Sequence, residues 1–236
     1  MPVALNHMSA IGYRGRLYVV GGYASPGDTS TDAVRSFWRY DPSTGRWRAM
    51  PDAPVPRAAA GAAVLGHRLY VVGGRNDATA ALSGMAIFDF ATGRWSQGPP
   101  LAHPREHLAA VAADGSIWAL GGRDLGVSFT YVERYRPGAS TWQSMPSMPV
   151  ARSGFQAVAV GDAIVVVGGE DGPQTVPEVD RLDPRTHRWA SLAGLTVARH
   201  GLGVVADGPL VFTIDGGPAP GLTTSRVVTR LRVPGA

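Results

Sequence analysis

A Gly-Gly doublet closes an apolar run five times in this chain, at Gly21-Gly22, Gly73-Gly74, Gly121-Gly122, Gly168-Gly169 and Gly216-Gly217. Successive doublets lie 52, 48, 47 and 48 residues apart. A period of that length means one supersecondary unit repeated. Such a unit cannot bury its hydrophobic face alone and needs its neighbours stacked against it.

Two further signals run at the same period. Trp47, Trp95, Trp142 and Trp189 each follow a doublet, and each stands seven residues after a large residue, Tyr40, Phe88, Tyr135 or Leu182. The text between is a turn (DPSTGR, DFATGR, RPGAST, DPRTHR), rich in the residues that reverse a chain. Arg57, Arg105, Arg152 and Arg199 precede the doublets, with Leu5 in the first copy, and an Ala- and Gly-rich segment follows each. Each copy therefore reads as four short strands. Strand A is the small-residue segment, B the apolar run, C the Tyr/Phe segment and D the Trp segment. Four antiparallel strands per unit match a propeller blade. The expected fold is all-β, a single propeller domain over 1–236 with repeats at about 1–50, 51–98, 99–145, 146–192 and 193–236.

Composition narrows the function classes. Gly 31 and Pro 19 favour turns over long helices. The absence of cysteine removes disulfides, thiolate metal sites and cysteine nucleophiles. All 22 basic residues are Arg and they are spread evenly, so the net charge of +4 does not point to nucleic acid. No apolar stretch is long enough to span a membrane. The sequence from Met1 to Ala10 has neither the charged nor the apolar region of a signal peptide, so the default expectation is cytoplasmic, or secreted or periplasmic if an upstream segment exists.

The doublet, the Tyr seven residues before a Trp and the recurring period together resemble the kelch repeat, over nearly the whole chain. The resemblance implies a five-bladed kelch propeller of the galactose oxidase-like superfamily. The last blade has strands A to C but no fourth strand of its own. Residues 1–5 (MPVAL) match the text that follows strand D elsewhere (MPDAPVPR, MPSMPVAR). In kelch-like propellers the last blade is often completed by a strand from the other terminus. The expectation here is that such a strand lies upstream of Met1.

Antiparallel pairing puts the start of A and the end of B on one face, which then carries the D–A connectors and the B–C loops. Variable loops on a repeated framework are where recognition sits. Arg57, Arg105, Arg152 and Arg199 fall there, joined by Arg75 and Arg123 directly after doublets. A ring of guanidiniums suits a carboxylate or an acidic peptide, and it resembles the Arg at the start of strand A in kelch domains that bind acidic peptides. The other reading is that each Arg pairs with a neighbouring blade's backbone or acid and stabilises the ring. Asp52, Asp77, Glu106, Asp124, Glu170 and Asp171 share the face and could neutralise it. His7 and His107 share a register, and His200 follows Arg199; three converging His could bind a metal, though small-residue strands also host His as hydrogen-bonding core residues.

No nucleophile elbow, phosphate loop or zinc-protease motif is present, and no cofactor, metal or catalytic residue is assigned. The copper radical chemistry of galactose oxidase needs a cysteine. The loop from Gly217 to Thr224 resembles that of the sialic acid mutarotases, but their acid and Arg are absent at Gly217 and Thr223. Two functions remain. One is a binding module for a protein segment, acidic peptide or glycan. The other is a small carbohydrate-active enzyme, which an acid–Arg pair within about 5 Å in the mouth would favour.

Overall fold

A computed structural model describes residues 1–24, 32–76, 81–221 and 223–235. It is all-β, a five-bladed β-propeller, and no helix is long and apolar enough to cross a membrane. Four sheets have four antiparallel strands in the order A-B-C-D, and the last has three. The first blade comprises Ser9–Tyr13, Arg16–Val20, Phe37–Asp41 and Arg46–Met50. The last comprises Gly203–Asp207, Leu210–Ile214 and Val228–Arg232. Residues 1–5 belong to no strand.

The chain divides into two compact units: Met1–Glu106 with Gly138–Trp142, and His107–Pro137 with Gln143–Ala236. In the first unit, Tyr18, Val20 and Phe37 of blade 1 pack against Leu69, Val71 and Phe88 of blade 2. The repeated Trp serves this junction. The Trp95 ring lies 5.4 Å from Phe37 and 5.1 Å from Phe88, and its Nε1–H donates to the Pro51 carbonyl at 2.8 Å. Trp142 donates to Pro99 in the same unit, and Trp189 to Pro146 in the second. In the second unit, Trp118, Leu120 and Val132 of blade 3 form one cluster with Ile164, Val166 and Leu182 of blade 4. Val165, Val167 and Val179 of blade 4 continue to Leu202 and Val211 of blade 5.

The doublets have a steric cause. Gly21 sits at φ +66, and a Cβ there would stand 2.2 Å from the Arg57 carbonyl oxygen of the next blade. The amide of Gly22 donates to that same carbonyl at 2.9 Å. Only glycine allows both the left-handed backbone and the close approach. In the fifth repeat the conformation falls one residue earlier than the letters suggest. Asp215 (φ 56) and Gly216 (φ 89) take the doublet geometry. Arg199 bonds Asp215 O as Arg152 bonds Gly168 O, sixteen residues on in both cases. Asp tolerates the left-handed region better than most residues. Gly217 is thereby aligned with Glu170, the residue after the doublet.

Candidate functional site: the residues after the doublets

The four register-matched Arg residues are buried inside blades. Arg57 is 4% exposed, and Arg105, Arg152 and Arg199 are 0% exposed. Arg57 Nη1 donates to the carbonyls of Gly73 and Gly84, at 2.8 and 2.9 Å. Arg152 Nη1 donates to Gly168 and Glu178, and Arg199 Nη1 to Asp215 and Val227. Arg105 Nη1 donates to His103 O. In three blades, then, the guanidinium ties the end of strand B to the start of strand C. This clamp lies within each blade, not between neighbouring blades as the sequence suggests, because the carbonyls it reaches are those at the end of its own strand B and the start of its own strand C.

The clamps differ in what answers their charge. Arg152 Nη2 meets Asp180 Oδ2 at 2.5 Å, and Ser191 Oγ donates to the other carboxylate oxygen. Arg199 Nη2 donates to the Thr213 and Thr229 hydroxyls. In blade 2 the positions equivalent to Val166 and Asp180 are Val71 and Ala86, a strand pair. Arg57 has no ion pair among the described residues, and its Nε has no partner. Burial alone pushes its guanidinium down to about 10. At neutral pH it is charged, at a cost of about 3 kcal/mol. The folded group holds its proton less tightly than the unfolded one, so this penalty lifts only as pH rises above about 10. Ala86→Asp is expected to supply the missing partner and raise thermal stability by about 1 kcal/mol or more. A lower melting temperature would contradict the assignment.

The chemically varied side chains sit one step further on. At four of the five doublets an isolated bridge follows: Asn6 with Tyr23, Ala58 with Arg75, Ser153 with Glu170, and His200 with Gly217. Arg123 occupies the same register in blade 3. The next position, His7, Ala59, His107, Gly154 and Gly201, is left-handed in all five blades. Its amides link neighbouring blades: Ala59 donates to His7 O, Gly154 to His107 O and Gly201 to Gly154 O. His7 and His107 therefore share a backbone role. His7 also bonds Asn6 and packs edge-on to Tyr23. His200 belongs to the bridge register instead. No group of three potential metal ligands exists among the described residues. Asp77 lies outside the described residues.

The second unit gathers three of these groups. Arg123 Nη1 donates to Glu170 Oε1 at 2.7 Å, and His200 Nε2 lies 3.8 Å from Glu170 Oε2. The Glu170 side chain is 9% exposed, and those of Arg123 and His200 are 27% and 14% exposed. Arg123 lies on the hairpin Arg123–Asp124 and Val127–Ser128, and Glu170 on the equivalent hairpin Glu170–Asp171 and Gln174–Thr175. Thr175 Oγ1 donates to Pro218 O, and the His200 ring nitrogens face Gly217 O and Gly221 O. The three B–C loops of this unit are thus bonded to one another. A cleft of about 390 Å³ opens beside the second hairpin, with Asp171 and Glu178 in its lining. Glu170 had a sequence signal: it directly follows its doublet, in the register that marks out Arg75 and Arg123.

Comparison with known proteins agrees with this repeat anatomy. The KLHDC2/KLHL20/DRC7 Kelch-repeats domain matches residues 6–214. The Kelch-like protein terF of Aspergillus terreus is 34% identical over 76 residues, 31% of this chain and 17% of that protein. Kelch-like protein 40a of Danio rerio is 29% identical over 86 residues, 35% of this chain and 14% of that protein. Both matches therefore cover a small part of longer proteins. Among solved structures, YjhT superposes with a TM-score of 0.83 over 98% of this chain and 82% of that one, at 16% identity, a likeness of fold. The chain belongs to the kelch-repeat family.

Proposed function

We propose that this chain is a binding module that reads a protein segment or a glycan with its B–C loops, and that recognition in the second unit centres on Arg123, Glu170 and His200. The observation that carries this reading is variation at a fixed place. The Arg clamps and doublets repeat, while the residue after the doublet is Tyr23, Arg75, Arg123, Glu170 and Gly217 in turn. A framework that holds Tyr, Arg, Glu and Gly in one backbone setting is suited to recognition. Peptide and glycan arrays probed with the wild type and with Arg123→Ala and Glu170→Ala test it. Ligands bound by the wild type are expected to be lost by both variants. Full retention by two folded variants would remove these residues from the site.

A carbohydrate-active enzyme is the second reading, favoured by the Arg123–Glu170 pair at 2.7 Å. It supplies an acid and an Arg on the same face as Gly217 and Thr223, where the mutarotase-like groups are missing. Anomer exchange of free sugars followed by proton NMR tests it. A rate equal to the buffer rate would eliminate this reading.

A further inference from the structure

The last blade presents an unpaired sheet edge. Its outer strand, Val228–Arg232, pairs with Leu210–Ile214 on one side and with no strand on the other among the described residues. Blade 4 shows what that edge offers, because Val211 pairs with Leu231 as Ile164 pairs with Leu182. In blade 4, Leu192 N–H donates to Val179 O and Asp183 N–H to Arg188 O, so Val179, Arg181 and Asp183 turn their backbone groups to strand D. Val228, Arg230 and Arg232 hold those positions in the last blade, and all three are exposed. Leu231 stands where Tyr40, Phe88 and Leu182 each pair with a Trp of strand D. The acceptor for such a ring is open as well. Trp95, Trp142 and Trp189 donate to Pro51, Pro99 and Pro146, each two residues before an amide (Ala53, Leu101, Met148) that bonds the segment entering a strand C. Leu195 is the matching amide in the last connector, which makes Ala193 the matching carbonyl. Ala193 is exposed, and its carbonyl accepts no hydrogen bond among the described residues.

The charge of this edge is reversed. In blades 1 and 2 the residue after the large one is acidic and faces an Arg just before the Trp, Asp41 with Arg46 and Asp89 with Arg94. In the last blade that residue is Arg232. Arg226, Arg230 and Arg232 are exposed, with no ion pair among the described residues. Arg230 matches Arg134 of blade 3, whose Nη2 donates across the strand pair to Gln143 Oε1 at 2.6 Å. We infer that this edge docks an extended segment of another protein, in which acidic residues flank a Trp, as an added fourth strand. The Trp ring lies on Leu231 and donates to Ala193 O, one acid meets Arg232 and the other accepts from Arg230. The inference concerns the sheet edge rather than the B–C loops and goes beyond the reading above. A second copy is a poor occupant. Two such edges would gather Arg230 and Arg232 with their own kind, and strand D of this chain sets Arg before Trp in Arg46-Trp47, Arg94-Trp95 and Arg188-Trp189.

Fluorescence anisotropy of the full-length protein with labelled, blocked peptides of one extended frame, centred on Glu-Trp-Glu, Arg-Trp-Arg or Glu-Ala-Glu, tests this. The Glu-Trp-Glu peptide is expected to bind, and each of the others at least about tenfold more weakly, the size of one hydrogen bond to a charged group or of one lost aromatic anchor. N-methylation of its two Glu amides, which face the edge in the register of blade 4, is expected to abolish binding. The double variant Arg230→Glu with Arg232→Glu is expected to melt near the wild-type temperature and to prefer Arg-Trp-Arg. Binding of no peptide, as when a strand of the chain itself holds the edge, would overturn the inference. Equal binding of the two charged peptides, or an unchanged preference in the double variant, would do the same. Self-association in sedimentation that the Glu-Trp-Glu peptide reverses would assign the edge to a second copy and also overturn it. Array binding that depends on Arg123 stands or falls separately.

Discussion

Asp180→Ala is expected to destabilise the protein by about 3–5 kcal/mol, because it leaves a fully buried guanidinium without its carboxylate. Arg152 is 0% exposed and Asp180 1%, so water cannot replace the lost partner. Burial already holds the Arg152 guanidinium below its ordinary value, and Asp180 is the main force opposing that shift. The Nη1 bonds to Gly168 O and Glu178 O remain, so the charge stays fixed in place when its partner is gone. Equilibrium denaturation of the variant measures the loss. A change under about 1 kcal/mol, the range of an exposed pair, would mean that the pair does not hold the blade. Removing both charges with Arg152→Met and Asp180→Ala together is expected to cost less than the single change, since no unpaired charge is left behind.

Trp95→Ala is expected to cost about 3 kcal/mol. The ring is half-buried, which puts it at the low end of aromatic truncations, and the Nε1–H bond to Pro51 O is lost with it. The ring contacts Phe37 in blade 1 and Phe88 in its own blade, so the loss falls on the junction between blades. Trp95→Phe keeps part of the apolar contact but not the hydrogen bond, and is expected to fall between the two. For a chain of this size the alanine variant should melt roughly 6–12 °C lower. A shift of under about 2 °C would contradict a packing role for the repeated Trp.

Much of this fold is legible in the letters, because its causes are local and repeated. The doublets mark a backbone conformation that needs glycine, and the Tyr and Trp mark the two sides of a hairpin. The frame of the fifth repeat is not legible. FTIDGG offers two glycines, and only backbone angles reveal that Asp215 and Gly216 take the doublet geometry. The role of the repeated Arg is hidden for a different reason. A clamp and a ligand fork look alike at one position. What separates them is a partner such as Asp180 or Thr229, about thirty residues on in strand C. The Arg123–Glu170 pair joins hairpins of two blades across 47 residues. Its members are visible singly in the sequence, and their contact is visible only in the fold.

Arg57, Arg152 and Arg199 clamp the end of strand B to the start of strand C, and we propose that Arg123, after the doublet, faces a ligand. Thermal melting and array binding of Arg152→Ala beside Arg123→Ala test this most directly. The account predicts a fall of roughly 10 °C for Arg152→Ala. For Arg123→Ala it predicts a melt within about 2 °C of the wild type, together with loss of array binding. A stable Arg152→Ala that loses binding, beside an Arg123→Ala that keeps it, would contradict the account.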